Sequence, residues 1–394
     1  MQRLLFSSSL LLALMVFDSA ALARQSDEKR VVGYFAGWGE ASAADIRADL
    51  LTHVIYAFGR IRDGRCILTD EPAATAPANA GATTQRIPEP VRKVLSLKER
   101  NPRLKTLVSL GGWGGSAPFS DLAMTEESRR TFARSCAAAA HEFGFDGIDI
   151  DWEYPGGGGM AKGRPQDTRN FTLLLAEIRR QLDEQGAADG KRYLLTIATP
   201  ASPEKFGHIE LDKVSPLVDF INLMTYDFSG GWSPVTSFNA QLFAADANES
   251  SLSVDSSVRG YLAVGVPKEK LVVGVPFYGR AFGGVDAAGD GLFQKHDRKA
   301  PRPPSGDEWT YRNLVGGNLL DGKTFARHWH DKAMVPWLYD PRSHIMVTYD
   351  DPQSILKKAQ YARDNGLGGV MIWELSQDDA DSSLLRAVNE GLKP

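Results

Sequence analysis

The chain has 394 residues, 43% hydrophobic, 9% aromatic and 24% charged, a balance that builds a packed core and excludes a disordered or fibrous protein. Its 45 basic and 49 acidic residues leave a formal net charge of -4, so no broad positive field exists to hold nucleic acid or anionic lipid. A polymeric partner is therefore expected to be uncharged, and the length suits one large barrel or two to three smaller domains.

At the amino terminus, Arg3 precedes an apolar run through Leu4, Leu5, Leu10 to Leu14 and Val16, followed by Ala21-Leu22-Ala23. That order predicts a cleaved secretory signal over 1–23 and a secreted or periplasmic protein. The run is broken by Ser7, Ser8 and Ser9 and falls short of the roughly 20 residues that span a bilayer, so no membrane association is expected after cleavage. Cys66 and Cys136 are the two cysteines, too few for a disulfide framework, and the spacing leaves open whether they pair.

Short runs rich in β-branched and aromatic residues then recur: Val31–Phe35, His53–Phe58, Leu107–Leu110, Gly147–Trp152, Leu194–Ala198, Val218–Met224, Leu271–Pro276 and Gly369–Trp373. They are nearly continuous apolar segments, as expected of strands buried on both faces. Helical stretches lie between most of them, including Glu126–Phe143, Thr168–Gln185 and Pro352–Asn365. Eight β-then-α units predict an α/β fold, a closed (β/α)8 TIM barrel. An open doubly wound sheet is disfavoured because Gly33-Tyr34-Phe35-Ala36-Gly37-Trp38 lacks the phosphate-binding glycine spacing. About ninety residues separate the seventh and eighth strands, too many for one crossover. The segment 283–345, with Pro301, Pro303 and Pro304 and several aromatics, is expected to be a small α+β insertion domain, leaving 29–282 and 346–394 for the barrel. Residues 71–84, rich in Ala, Pro and Thr, are expected to form a surface loop.

The sharpest signal is Asp146-Gly147-Ile148-Asp149-Ile150-Asp151-Trp152-Glu153. Strand alternation puts Asp149, Asp151 and Glu153 on one face and Ile148, Ile150 and Trp152 on the other. With the apolar set against the helices, the acids point into the barrel, about 6.6 Å apart, toward the end where barrel enzymes place their chemistry. Three inward carboxyls cannot all ionise cheaply, so Glu153 is expected to stay protonated near neutral pH as a general acid above a coupled Asp149 and Asp151. A calcium loop would need polar, flexible neighbours in place of Ile, Ile and Trp.

In these residues the chain resembles glycoside hydrolase family 18, the chitinases and their relatives, whose hallmark is D-x-x-D-x-D-x-E on the fourth barrel strand. Asp146, Asp149, Asp151 and Glu153 fill it. The likeness extends to Gly33-Tyr34-Phe35, Ser109-Leu110-Gly111-Gly112, Met224-Thr225-Tyr226-Asp227, Tyr278-Gly279-Arg280, Trp373-Glu374 and Tyr349-Asp350-Asp351-Pro352, and to the family subgroup with an α+β insertion domain. It implies a chitinase acting on chitin or N-acetylglucosamine oligosaccharides by a retaining mechanism in which the substrate's acetamido carbonyl is the nucleophile, a recognised exception to the two-carboxylate scheme. Glu153 would then be acid and base, Asp151 the acetamido partner and Asp149 its support, with Tyr226 on the acetamido oxygen and Asp227 on the distorted sugar. Trp373 would floor the central subsite, and Tyr34, Phe58, Trp113, Met224 and Arg280 would line it. Peptidoglycan or the chitobiose core of N-glycans are alternative polymers for the same chemistry. A sugar-binding lectin on this barrel is the reading from another class, set against the presence of both Glu153 and Asp151.

Gly111 and Gly112 are expected to allow close backbone approach, with Trp113 reaching toward the cleft. Trp38, Trp113, Trp232, Trp309 and Trp337 are candidates for stacking on sugars, with about half of them expected to be buried. The seven histidines form no metal-binding pattern and no G-x-S-x-G elbow exists, so neither metal nor organic cofactor is expected. Residues 374–394 follow the last strand, too few for a separate carbohydrate-binding module, and a monomer is expected.

Overall fold

Residues 29–39, 42–68, 87–245, 252–304 and 306–394 are described in the structure, a computed structural model. The expected leader at 1–23 and the loop at 71–84 lie outside them. Each of the eight apolar runs forms a strand: β1 (Arg30–Ala36), β2 (His53–Arg62), β3 (Lys105–Gly111), β4 (Gly147–Asp151), β5 (Leu194–Pro200), β6 (Phe220–Met224), β7 (Leu271–Pro276) and β8 (Gly369–Trp373). Every strand pairs in parallel with its sequence neighbour, and β1 pairs with both β2 and β8, so the sheet closes into the expected (β/α)8 barrel.

The helices follow from periodicity and caps. Glu126–Phe143 opens with Thr125 and Ser128 in a reciprocal capping box and ends at Gly144, whose φ of 77° suits glycine. Phe132, Ala133, Cys136, Ala137 and Ala140 bury its inner face. The helix expected at 168–185 runs over Asp167–Asp189, and Pro352–Asp364 is capped by the Asp351 carboxylate on the Ser354 N–H at 3.0 Å. Cys136 and Cys66 are both buried and free, with their thiols in hydrogen-bond contact.

Two apolar layers hold β4 in place. Ile148, Ile150 and Trp152 belong to the layer between strands and helices, where the Trp152 ring stacks on Phe119 at 5.3 Å and meets Phe171 edge-on at 5.5 Å. Inside the barrel, Val32, Ile55, Leu107, Phe220, Val272 and Met371 form a separate plug beneath the carboxylates. Trimming Trp152 to Ala would cost about 3–5 kcal/mol, because its cavity is lined on both sides by rigid rings.

After β7 the chain leaves the barrel. Arg280–Phe282, Ala326–His330, Val335–Asp340 and Ile345–Thr348 form an antiparallel four-stranded sheet in which Ile345–Thr348 lies between Val335–Asp340 and Arg280–Phe282. Its outer strand therefore comes from just before residue 283, and Ile345–Thr348 carries it past residue 345. Phe238, Phe282, Val285, Trp337, Tyr339 and Met346 give this sheet its own core. The chain rejoins the barrel at Asp350, a buried carboxylate that accepts from Lys358 Nζ at 2.5 and 2.7 Å.

Candidate active site

Register builds the site. Ser109 on β3 and Thr196 on β5 are the cross-strand partners of Asp149, and both hydroxyls donate to its carboxylate, at 2.7 and 2.6 Å. Tyr34 on β1 donates a third hydrogen bond at 2.9 Å, and Asn222 on β6 donates to the Tyr34 hydroxyl at 3.2 Å. Burial raises the Asp149 pKa, and these three hydroxyls pull it partly back. Asp149 is thus fixed under the site and does not line the cleft.

Asp151, one step up the strand, has the opposite environment. It is buried, and its Oδ1 has no hydrogen-bond partner among the described residues. Desolvation, then the neighbouring Glu153 and Asp149 carboxylates, push its pKa well above the usual carboxylate range. Glu153 lies past the end of β4. Its backbone N–H donates to Ser116 Oγ at 2.9 Å, and that hydroxyl also reaches the carbonyls of Gly112 and Asp151 at 2.8 and 3.1 Å. Burial pushes the Glu153 pKa up to about 7, opposed by the Tyr154 hydroxyl and the Lys205 ammonium and aided by Asp227. Two glycines allow this closeness: a Cβ on Gly111 would sit 2.1 Å from the Asp151 carbonyl, and one on Gly112 would sit 2.4 Å from the Phe58 ring.

Above the row lies a cleft of about 1950 Å³. Trp373, at the end of β8, is its floor; its ring centroid is 5.4 Å from Tyr34, 5.8 Å from Phe58 and 6.5 Å from Trp38. Met224 and Tyr226 line the same space, and the Tyr226 hydroxyl reaches Met371 Sδ at 4.0 Å. Asp227, with φ at 57°, turns its carboxylate to Tyr278 at 2.7 Å and to Arg280 at 2.9 and 2.6 Å. The Arg280 guanidinium lies between the Tyr278 and Trp232 rings, 5.0 and 5.4 Å from their centroids.

The structure brings Glu153, Asp151, Tyr226, Asp227, Tyr34, Phe58, Trp113, Met224, Arg280 and Trp373 together at the cleft, with Asp149 as a support beneath them. Trp38, Trp113 and Trp232 line it at 67%, 52% and 58% exposure. Trp309 also borders it, but at 6% exposure its indole N–H is spent on the Pro301 carbonyl. Trp337 is a correction: at 7% exposure it packs in the insertion core, stacked on His328 with its N–H on the Asp290 carbonyl, because alternation on Val335–Asp340 turns it from the cleft. Tyr154 and Lys205 were not anticipated. Alternation places Tyr154 with Trp152, yet β4 ends at Asp151, so the two-residue period no longer governs it. Lys205 comes from the helical turn Pro203–Phe206 after β5, which no local pattern ties to Glu153.

A carboxylic acid neutral up to about pH 7, beside a buried acceptor that lacks a donor, can give a proton to a leaving oxygen while holding an N–H of the same molecule. Among the described residues, no group of three or more His, Cys, Asp or Glu side chains is placed to hold a metal ion, and no helix is long and apolar enough to cross a membrane.

The chain matches the family described as glycosyl hydrolases family 18 over residues 30–378. It is 37% identical to Chitinase A1 of Niallia circulans across 94% of this chain, spanning 60% of that relative's length. Against Chitinase B of Serratia marcescens the identity is 33%, over 87% of this chain and 76% of the relative. A family 18 N-acetylglucosaminidase from Paenibacillus barengoltzii superposes with a TM-score of 0.80 at 33% identity, covering 92% of this chain and all of that one.

Proposed function

The chain belongs to the glycosyl hydrolases of family 18, and from that premise we propose that it is a chitinase cutting β-1,4-linked N-acetylglucosamine with retention, the substrate's acetamido carbonyl serving as nucleophile. The observation that carries this reading is the partnerless Oδ1 of Asp151 beside the protonated Glu153. A buried acceptor without a donor is costly, and the acetamido N–H is the donor such a substrate brings.

In the proposed cycle Glu153 gives its proton to the glycosidic oxygen, and the bond from that oxygen to the anomeric carbon breaks with the leaving unit departing as its alcohol. The acetamido oxygen bonds to the anomeric carbon in its place. Asp151 holds the N–H and balances the positive charge of the oxazolinium ion. Tyr226, whose hydroxyl meets only the Met371 sulfur as a hydrogen-bond partner among the described residues, donates to the acetamido oxygen. Glu153 then takes a proton from the water that opens the ring. Trp373 carries the apolar face of the sugar, with Tyr34, Phe58 and Met224 around it, while the Asp227–Arg280 pair and Trp113 bound the two flanks. Secretion through the leader at 1–23 and action as a monomer suit a chitinase meeting its polymer outside the cell.

The test is hydrolysis of the N-acetylglucosamine hexamer followed by proton NMR within the first minutes, beside the fully deacetylated hexamer. The β anomer should form first, and the deacetylated chain should stay intact. Early α anomer, or equal cleavage of both chains, would falsify the mechanism.

A further inference from the structure

The aromatic floor and the acid stand on opposite sides of the barrel. Trp373, Tyr34 and Phe58 lie on β8, β1 and β2 and Trp38 just after β1, whereas Glu153, Tyr154 and Lys205 follow β4 and β5. If the sugar to be attacked rests on Trp373 with its glycosidic oxygen at Glu153, the next unit of the chain passes over Tyr154. That placement rests on the function proposed above.

Lys205 is the cation at this position. Its ammonium lies 4.2 Å from the centroid of the Tyr154 ring, and no carboxylate among the described residues pairs with it within 4.0 Å. Its stem packs 3.9 Å from where a Cβ on Gly158 would be, so it lies along the loop that follows Glu153. Two other cleft cations are engaged, Arg280 with Asp227 at 2.6 Å and Arg302 with Asp307 at 3.0 Å. Glu153, on which the ammonium acts, stays protonated up to about pH 7 and offers little negative charge to balance it. The charge set against the face of the Tyr154 ring is therefore the Lys205 ammonium, while Asp227 acts on the same tyrosine with the opposite sign.

We propose that Lys205 is a specificity-determining residue that rejects a deacetylated, cationic sugar unit from the position over Tyr154, on the leaving side of the bond being cut. An N-acetylglucosamine unit is neutral and meets the lysine without penalty. A glucosamine unit carries an ammonium of its own, and two like charges in a partly desolvated cleft repel strongly enough to change unit selection on the order of tenfold. The discrimination differs from the acetamido requirement at Trp373, which concerns the sugar on the other side of the bond.

Hydrolysis transfers the proton to the leaving oxygen, so the leaving-side unit becomes the new non-reducing end. Chitosan with half its units acetylated at random would be digested at pH 6 with the wild-type protein, Lys205→Gln and Lys205→Arg, and the new non-reducing ends identified by mass spectrometry. The wild type and Lys205→Arg should show glucosamine depleted roughly tenfold at those ends, and Lys205→Gln should bring it close to the polymer's composition. An unchanged depletion in Lys205→Gln, or none in the wild type, overturns the inference. The fully acetylated hexamer is run alongside; failure to cut it overturns the chitinase reading and this inference with it, whereas cleavage with unaltered end composition overturns this inference alone.

Discussion

The two ends of the barrel treat their carboxylates in opposite ways. At the amino end, Asp146 pairs with Lys98 at 2.6 Å and approaches Lys105 at 3.9 Å, while accepting the Thr106 N–H at 2.8 Å. Asp219, just before β6, is met by Arg192 at 2.9 Å, Arg179 at 3.5 Å and the Leu195 N–H at 2.9 Å. At the carboxyl end no cation among the described residues forms an ion pair with the row: Asp149 has hydroxyls, Asp151 Oδ1 has no partner among them, and Glu153 has a tyrosine with a lysine beyond it. Matched charges at one end stabilise the fold, and mismatched ones at the other store reactivity. The acidic motif therefore spans two jobs, since its first aspartate belongs to the stabilising end and the other three acids to the reactive one.

Removing the reactive acid should break this contrast most sharply. Glu153→Gln is expected to lower kcat by roughly a thousandfold while oligosaccharide binding, followed by tryptophan fluorescence, persists. Turnover within tenfold of wild type would show that another group supplies the proton. Asp151→Asn comes next, with a loss of about a hundredfold in kcat and a small change in KM, because the amide cannot balance the developing positive charge. Steady-state rates on the acetylated hexamer separate these outcomes.

The barrel and its acidic row were legible in the sequence because both depend on local periodicity. Alternation over Ile148, Asp149, Ile150 and Asp151 fixes which side chains face inward, and continuous apolar runs mark strands covered on both sides. The partners of Asp149 were not legible in the same way. Ser109, Thr196 and Tyr34 lie 40, 47 and 115 residues away, and only the closed register brings them together. Trp337 shows the converse failure: an aromatic suited to stacking on sugar is spent on the core of a small sheet, beside Phe238, Phe282 and Tyr339. Lys205 was missed because a lone lysine after a strand resembles any solvated lysine until Tyr154 is placed beneath it.

The same contrast sets the pH response. Glu153 has an ordinary value of 4.5 and a folded value of about 7, so the folded protein holds its proton more tightly than the unfolded chain does. Stability must then fall as pH rises from 4.5 to about 7 and level off above. Activity that needs the protonated acid falls over the next unit. Glu153→Gln removes the titration, so its stability relative to wild type should rise by about 2 kcal/mol between pH 4 and pH 8, less than a full conversion because Asp151 shares the proton. Urea unfolding at the two pH values measures it, and a parallel response in both proteins would refute the burial argument.

The smallest effect is expected at the stabilising end. Asp146→Asn keeps an acceptor for the Thr106 N–H but loses the charge that Lys98 and Lys105 share. The carboxylate is 18% exposed and Lys98 29%, so solvent screens the pair and its loss should cost about 1 kcal/mol, seen as a lowered Tm. The rate on the hexamer should stay within twofold of wild type, since Asp146 touches neither the cleft nor the row above it. Added salt should shrink the Tm difference, because the same ions that screen Lys98 from Asp146 in the wild type have nothing to screen in the variant. A rate loss without a stability loss would mean that the charge at this end of β4 is felt at Glu153, and the division between the two ends would fail.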